Sequence, residues 1–356
     1  AYSAQVKANF PDPETGLDKS KVELVKREVF PRIKHVLYII RENRTYDQVF
    51  GDLDKGNGDP HLTLFGEAVT PNAHQLVRNS VILDNIYCNG EVSEDGHQWS
   101  NAAYATDFTQ KAWPNSYSKR GEPEADERLT ASPGGYLWDS CKAHGKSYRS
   151  YGEFASFKST PESEPIFTGD RGLKDHSSLA WAKLKGESAR DPEKADIFIA
   201  ELREAEKTGV WPDYMVMSLG ENHTEGLTAG RFTPIAHVAS NDQALGKIVE
   251  AVSNSRFWKE TAIFVIEDDA QNGPDHVDAH RTCGLVISPY TMLNGKVDST
   301  MYSTVSMLRT MELILGLPPM TQYDELATPM FSCFTNKPDF SPYKLLPPQV
   351  DLLARN

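Results

Sequence analysis

The stretch that decides the fold is KHVLYII at positions 34–40, which is followed directly by the polar sequence RENRT at positions 41–45. Apolar residues fill nearly every position of 34–40, and this is typical of a strand covered on both faces in a parallel sheet. A second stretch, TAIFVI at 261–266, has the same character and ends in EDD at 267–269. Further strands are predicted at 81–87, 147–151, 214–218 and 284–288.

Segments with helical patterning alternate with these strands. The alternation predicts a parallel or mostly parallel sheet with helices on both faces. We therefore expect an α/β fold, organised as a three-layer α/β/α sandwich. The main helices are expected at 98–108, 136–144, 192–208, 234–252 and 305–317.

The domain organisation follows from the same pattern. Residues 1–30 are polar and predict an extended lead-in with a short helix near 21–29, and residues 31–356 predict a single domain. Two segments, near 109–135 and 155–178, are rich in Pro, Gly, Ser and charged residues. We expect them to be insertions over the active-site face. The proline-rich tail is expected to wrap the surface.

Composition excludes several classes of function. The chain of 356 residues has a formal net charge of −13. This negative charge argues against nonspecific nucleic-acid binding, which needs clustered Lys and Arg. No apolar run approaches the ~18 residues of a membrane span, so stable membrane insertion is not expected. The four cysteines form no CxxC pair and leave three disulfide pairings, or free buried thiols, open. They are Cys88, Cys141, Cys283 and Cys333.

Polar clusters follow four of the predicted strands. In open α/β sheets, ligands bind at the carboxyl ends of the strands, so clusters that are distant in sequence converge on one site there. Solvated loop acids are the ordinary explanation for one such cluster, but four together favour a real site. The clusters are Glu42–Asn43, Glu91–His97, Glu221–His223 and Asp268–His280.

The acidic residues predict a metal site. Glu42, Asp268 and Asp269 would bring three carboxylates together, and a cation between them would remove their repulsion. With the amide oxygen of Asn43, this oxygen-rich set favours Ca²⁺, Mg²⁺ or Mn²⁺, while nearby histidines leave Zn²⁺ and Fe open.

Ser93 is the candidate nucleophile. It follows a predicted strand and precedes a helix, where free N–H groups stabilise an anion. Local sequence alone favours an ordinary helix N-cap over a nucleophile at this position. Four histidines in the same loops are candidates for protonating a leaving alcohol or for contacting phosphate oxygens. They are His97, His223, His276 and His280.

Residues 33–51, with the signature ENRTYD at 42–47, and residues 264–281 resemble the bacterial phosphoesterase family. That family holds the phospholipases C and related acid phosphatases of the alkaline phosphatase superfamily. The similarity is strongest to domains that follow a β-propeller. It extends over about residues 30–340 and implies an alkaline phosphatase-like fold and metal-assisted attack on phosphorus.

The resemblance also implies roles for individual residues. Glu42–Asn43 and Asp268–Asp269 match the two metal-ligand pairs. The segment SEDGH at 93–97 is similar to the nucleophile element of cofactor-independent phosphoglycerate mutases, which makes Ser93 the nucleophile and a further metal ligand, with Ser100 second. Similar sequences have Asp where Asn222 stands, so one metal ion is expected, although a second stays open.

The function expected from the sequence is therefore metal-dependent hydrolysis of a small-molecule or lipid phosphate ester through a phosphoserine on Ser93. A phosphatase is favoured over a phospholipase C-type diesterase, for which Trp99, Tyr104, Trp113 and Tyr117 would supply an apolar shelf. A noncatalytic, metal-stabilised binding module is the alternative from another class. A secreted or periplasmic location is expected.

Overall fold

The apolar stretch around residue 36 forms strand β1 (His35–Arg41), which lies at the centre of a five-stranded sheet. The computed structural model describes residues 12–120, 127–158, 166–184, 189–270 and 273–356. The other strands are β2 (Val81–Leu83), β3 (Ile86–Tyr87), β4 (Tyr148–Tyr151), β5 (Phe157–Lys158), β6 (Ile166–Phe167), β7 (Tyr214–Ser218), β8 (Thr261–Glu267), β9 (Leu285–Ile287), β10 (Lys296–Asp298) and β11 (Tyr302–Ser303).

The α-helices surround this sheet. The helix predicted near 21–29 begins as α1 and continues as a π-helix over Val25–Val29. The α-helices are α1 (Lys19–Leu24), α2 (Tyr46–Phe50), α3 (Pro71–Asn79), α4 (Ser93–Ala102), α5 (Asp107–Tyr117), α6 (Glu127–Thr130), α7 (Leu137–Ala143), α8 (Leu179–Ala182), α9 (Asp191–Thr208), α10 (Pro234–Ser253), α11 (Thr304–Leu315) and α12 (Gln322–Leu326).

The central sheet has the order β4–β7–β1–β8–β9. The first three pairings are parallel, and β9 joins β8 antiparallel at the edge. The mostly parallel α/β fold predicted from the sequence is thereby confirmed. The register places Arg41 of β1 beside Glu267 of β8, so the two strands end at the same level.

Alternate residues of the central strands enter two separate cores. Tyr38 and Phe264 pack on one face of the sheet, with residues of α7 and α11. Ile39 and Val265 pack on the other face, with residues of α3, α9 and α10. The sandwich therefore has three layers, and a continuous apolar strand is what two covered faces require.

Two predicted elements differ from the structure. The strand predicted at 81–87 splits into β2 and β3, which pair with β10 and β11 outside the central sheet. The break falls at Asp84, whose carbonyl accepts a hydrogen bond from Arg281, and at Asn85, whose amide donates to Ser299.

The helix predicted at 98–108 is also wrong in its bounds. The helix begins at Ser93 and ends at Ala102, because Ala103 turns into the left-handed region with φ 50°. A new helix, α5, starts after Thr106, whose hydroxyl accepts a hydrogen bond from the Thr109 N–H. The first insertion, 109–135, is therefore largely helical where it is described. The second, 155–178, contains the antiparallel pair β5–β6. Residues 121–126 and 159–165 of these insertions lie outside the described part of the chain.

The remaining expectations concern the termini, the cysteines and the membrane. All four cysteines are buried free thiols. The C-terminal tail lies on the surface, where Arg355 forms an isolated antiparallel β-bridge with Phe232. Among the described residues, no helix combines the length and the apolarity that crossing a bilayer would need. The division into a lead-in and one domain stays a prediction.

A buried carboxyl on α11 makes stability depend on pH. Burial and the neighbouring Asp324 raise the pKa of Glu312 from an ordinary 4.5 to about 10. The folded chain then holds a proton that the unfolded chain loses, so the free energy of unfolding should fall as pH rises from 4.5 to 10. Glu312→Gln keeps the group neutral and should flatten this decline. Urea denaturation at pH 5, 7 and 9 measures it, and identical pH slopes for both proteins would contradict the prediction.

Candidate active site

Three neighbouring strands of the sheet end in the predicted polar clusters. β7, β1 and β8 lie side by side and lead into Glu221–His223, Glu42–Asn43 and Asp268–Asp269 respectively. The fourth cluster follows β3 and enters α4. Because the three strands are parallel, their carboxyl ends meet at one edge of the sheet, and the predicted site residues are brought together there.

Ser93 is the first residue of α4 and not its N-cap. Val92 occupies the cap position, and the carboxylate of Asp95 accepts hydrogen bonds from the N–H groups of Glu91 and Val92. The Ser93 side chain therefore does no capping. Its Oγ donates to Asp269 Oδ2 at 3.0 Å and lies 3.5 Å from Asn43 Oδ1.

Two glycines allow α4 to approach β8 so closely. A Cβ atom on Gly96 would lie 2.6 Å from the carbonyl oxygen of Asp268, and one on Gly90 would lie 2.4 Å from Gly96 Cα. Both distances are far below van der Waals contact. The absence of side chains at these two positions is thus what allows Ser93 to reach the carboxylates.

Asp268 has a buried carboxylate that lacks hydrogen bonds. Within the described residues, neither of its side-chain oxygens has a hydrogen-bond partner, and the residue is fully buried. Burial, together with the neighbouring charges of Asp269 and Glu42, raises the pKa of Asp268 well above its ordinary value. An unsolvated carboxylate is costly unless a cation neutralises it.

His97 faces the same carboxylates from α4. Its Nε2 lies 3.4 Å from Asp268 Oδ2 and 3.8 Å from Glu42 Oε1, while Nδ1 lies 2.8 Å from Glu153 Oε1. Burial disfavours the charged ring, but Glu153 and Asp268 raise the pKa of His97 well above its ordinary value. Burial likewise opposes the charge of Glu42, and the contact with His97 holds the pKa of Glu42 below its ordinary value.

Glu153 is a site residue that the sequence reasoning missed. It is buried, follows β4 by two residues and also accepts a hydrogen bond from Asn101 at 2.7 Å. The available signal was its place after a strand, since β4 is the neighbour of β7. Applying the strand-end rule to β4 would have found it.

Both polar atoms of the Asn222 side chain form hydrogen bonds within the protein. Its Oδ1 accepts from the Glu42 N–H at 3.0 Å, and its Nδ2 donates to Glu267 Oε2 at 2.7 Å. Glu267 in turn pairs with Arg41 at 3.5 Å, and both side chains are buried. Through Asn222, the backbone N–H of Glu42 is therefore linked to the side chain of Glu267, the residue that precedes Asp268–Asp269.

Asn43 has an unusual backbone. Its φ is 67°, in the left-handed region that non-glycine residues rarely adopt. Asn is among the few side chains that tolerate this conformation. The residue is buried, and its side-chain oxygen faces Ser93.

The other predicted histidines have different surroundings. His223 is exposed, and its charge acts on Glu42. His276 contacts Asp47 at 2.6 Å and Asn57 at 3.3 Å. His280 contacts Asp278 at 2.9 Å and Glu91 at 3.1 Å. Of the four, His97 is the one that the structure joins directly to the carboxylates of Glu42 and Asp268.

Among the residues that the structure describes, one group of acidic and histidine side chains lies close enough to share a metal ion, and it is not the predicted set. Asp47, Asp275 and His276 form this group, but Arg281 already binds both carboxylates at 2.9 Å, so one of their two charges is offset within the protein. The carboxylate of Asp268 has no such cation beyond His97. The buried, unbonded carboxylate of Asp268 therefore fits a metal ion at the predicted site, where Glu42, Asn43, Ser93, Asp268 and Asp269 stay the predicted ligands.

Comparisons with known proteins agree with this architecture. A model of the phosphoesterase family matches residues 59–318. A search of the curated proteins finds no match.

Solved structures share the fold at low identity. The chain is similar to a protein in the alkaline phosphatase superfamily from Vibrio parahaemolyticus, with 15% identity over 86% of this chain and 78% of that chain and a TM-score of 0.52. The lipoteichoic acid synthase LtaP from Listeria monocytogenes gives 11% identity, 82% and 75% coverage and a TM-score of 0.51. The phosphonate monoester hydrolase of Agrobacterium radiobacter gives 13% identity, 80% and 74% coverage and a TM-score of 0.50. The likeness concerns the fold, which is alkaline phosphatase-like.

The glycine contact gives a test of the site. Gly96→Ala should displace Asp268, because the new methyl group meets a backbone oxygen that no rotamer change can move. We expect the protein to lose affinity for divalent metal ions by about tenfold or more, since one misplaced ligand costs at least ~1.4 kcal/mol. Isothermal titration with Mn²⁺ measures the affinity, and an unchanged affinity in a folded variant would contradict the contact.

Proposed function

The chain belongs to the phosphoesterase family, a family of hydrolases acting on ester bonds, and from this premise we propose that it hydrolyses phosphate esters through nucleophilic attack by Ser93. The observation that carries the proposal is the contact of Ser93 Oγ with Asp269 and Asn43, beside the buried carboxylate of Asp268. A hydroxyl at the start of a helix, beside buried carboxylates, is arranged for attack at a metal centre.

One divalent metal ion is part of the proposal. Glu42, Asn43, Ser93, Asp268 and Asp269 would hold it through oxygen atoms, which favours a hard cation. When bound, the ion would neutralise the carboxylates and favour the ionised form of the Ser93 hydroxyl. Because Asn222 already bonds to the Glu42 N–H and to Glu267, we propose one metal ion and not two.

The chain's own residues then account for the steps. Ser93 Oγ gives its proton to solvent and forms a bond to phosphorus, the bond to the alcohol oxygen breaks, and a histidine supplies the proton that the alcohol needs. Solvent then returns a proton to that histidine. His97 is our choice, since it contacts the carboxylates of Glu42 and Asp268 and is held in place by Glu153. Water then hydrolyses the phosphoserine and regenerates the Ser93 hydroxyl. His223 is a second candidate donor, while His276 and His280 stay predictions.

A monoester is the favoured substrate. A cavity of about 510 Å³ opens beside Glu42, and Lys194, Arg231 and Arg355 are among the residues that line it. Glu221 in the same wall is bound by Arg190 at 2.6 Å. Lys194 pairs with Asp191 at 2.9 Å and Arg231 with Glu225 at 3.4 Å, so the positive charge of the cavity is partly offset. A monoester dianion benefits from cations near the metal site more than a diester does.

A diester is the second candidate, and the contact of Tyr117 with the residue after Ser93 supports it. Tyr117 contacts the backbone of Glu94, and its ring packs edge-on against Trp113 with a centroid distance of 6.0 Å. Trp99 and Tyr104 instead pack against Tyr323. Four further expectations from the sequence stay predictions. They are the phospholipase C or acid phosphatase type, the similarity to domains after a β-propeller, the lipid or small-molecule partner, and the secreted or periplasmic location.

Ser93→Ala tests the mechanism. We expect turnover of p-nitrophenyl phosphate to fall by roughly 10³-fold or more, since the nucleophile is removed. The variant should remain folded and should still be stabilised by Mn²⁺ in a thermal melt, because four ligands remain. Ser100→Ala is the matched control and should stay active. Retained turnover in Ser93→Ala, or turnover of the wild type that survives removal of metal by a chelator, would overturn the proposal.

The ester class has its own test. We expect a higher kcat/KM for p-nitrophenyl phosphate than for bis-p-nitrophenyl phosphate, because the cations beside Glu42 favour the dianion. Raising the salt concentration should lower kcat/KM for the monoester more than for the diester. A preference for the bis-ester would favour the diesterase.

A further inference from the structure

The nucleophile and the cavity beside Glu42 lie toward opposite neighbours of β1. Ser93 Oγ contacts Asp269, which follows β8, and Asn43, which follows β1. The cavity of about 510 Å³ is lined by Glu42 and by Gly220, which follows β7, and β7 and β8 flank β1 on its two sides. In phosphoryl transfer the attacking and leaving oxygens lie in line on opposite sides of phosphorus. An ester attacked by Ser93 therefore directs its leaving alcohol toward this cavity.

A glycine keeps the cavity open to the proposed metal site. A Cβ atom on Gly220 would lie 2.6 Å from Glu42 Oε1, which is far below van der Waals contact. Because Gly220 has no side chain, the carboxylate of Glu42 can form part of the cavity wall. A group bound in the cavity is thus next to a predicted metal ligand, where the alcohol part of an ester held on that ion would lie.

The charges of the cavity wall favour a single negative charge on that alcohol. Glu42 is set aside here, because it is a predicted ligand of the metal ion. Among the described residues, the cations of the wall are Arg190, Lys194, Arg231 and Arg355, and its other carboxylates are Glu221 and Glu225. Asp191 lies outside the wall but pairs with Lys194 at 2.9 Å. Four cations then face three carboxylates, and the excess is one positive charge.

Arg231 can change partners at little cost. The side chain of Arg190 is only 10% exposed, and its nitrogens already bond to Glu221 and to two backbone carbonyls. The side chain of Arg231 is 59% exposed, and its Nε lies 3.4 Å from Glu225 Oε1, on a side chain that is itself 43% exposed. An ion pair this exposed contributes little stability. An anionic group of a ligand can therefore take the place of Glu225 beside Arg231.

From this geometry we propose that the cavity binds the leaving alcohol of the substrate and that Arg231 selects alcohols that carry a carboxylate. The substrate class is then the phosphate monoester of a hydroxy acid. The planar guanidinium matches the geometry of a carboxylate, and one such group uses the single excess charge of the wall. The inference rests on the proposed function, because it needs Ser93 as the nucleophile.

The first experiment measures kcat/KM of the wild type and of Arg231→Gln for three small esters. They are 2-phosphoglycolate, ethyl phosphate and O-phosphoethanolamine, whose alcohols carry a negative charge, no charge and a positive charge. The ratio between the two proteins for one ester cancels the intrinsic reactivity of that ester. Arg231→Gln should lower kcat/KM by about five- to tenfold for 2-phosphoglycolate, which is less than for a buried pair because Arg231 is exposed. It should change the value for ethyl phosphate by less than about twofold and should not lower the value for O-phosphoethanolamine.

Binding of inert phosphonates gives a second readout, which does not depend on turnover. In 3-phosphonopropionate and propylphosphonate a CH₂ group replaces the ester oxygen, so neither compound is hydrolysed. In isothermal titration the Mn²⁺-loaded wild type should bind 3-phosphonopropionate at least about fivefold more tightly than propylphosphonate. Arg231→Gln should bring the two affinities to within about twofold. Ser93→Ala should keep the wild-type preference, because Ser93 lies across from the cavity.

The control variant is Arg256→Gln, which removes the same charge outside the cavity. Arg256 follows the far end of α10, a helix of 20 residues that is about 30 Å long and begins at the cavity. It should behave as the wild type with every ester and phosphonate. Equal losses for all three esters in Arg231→Gln, no loss for 2-phosphoglycolate, or the same loss in Arg256→Gln would overturn the role of Arg231.

The outcomes also separate this inference from the proposed function. Turnover of p-nitrophenyl phosphate by Ser93→Ala means that the proposed function fails. If Ser93→Ala is inactive but the wild type shows no preference for 3-phosphonopropionate, only the leaving-group site is overturned. A wild type that hydrolyses p-nitrophenyl phosphate but none of the three small esters overturns the leaving-group site as well.

Discussion

Three carboxylates meet where β1 and β8 end, and their mutual repulsion is the constraint around which the site is organised. Glu42, Asp268 and Asp269 lie together at the edge of the sheet, and Asp268 is fully buried. Like charges in a buried position raise one another's pKa and oppose folding. Among the described residues, His97 is the cationic side chain in direct contact with Glu42 and Asp268, and Glu153 holds it in place. One histidine does not balance this set, which is why a metal ion fits here.

The scaffold behind the carboxylates holds the two strands in fixed register. The buried Arg41–Glu267 pair joins residues that face each other across β1 and β8, and Asn222 connects Glu267 to the backbone of Glu42. A buried ion pair contributes little net stability, because desolvation offsets the attraction. Its use here is geometric: a shift of β1 against β8 would separate Arg41 from Glu267 and move both ligand pairs.

The sequence predicted the central strands well, because burial on both faces leaves a continuous apolar stretch such as 261–266 that has few other interpretations. It also predicted that Glu42, Asn43, Ser93, Asp268 and Asp269 would converge, since parallel strands end at one edge. It misplaced the start of α4, because the turn at Val92 is capped by Asp95 from inside the helix and not by a residue before it. It named Tyr117 for an aromatic shelf but could not predict its hydrogen bond with the Glu94 N–H, since that contact depends on how α5 packs and has no pattern in the sequence.

The left-handed backbone at Asn43 restricts what this position can be. Glycine and aspartate fit the same φ of 67°, but glycine has no oxygen to offer, and aspartate would add a fourth negative charge to the carboxylates. Asparagine satisfies both the torsion angle and the local charge balance. Any substitution at this position therefore has to satisfy the conformation of the chain and the charge of the site at the same time.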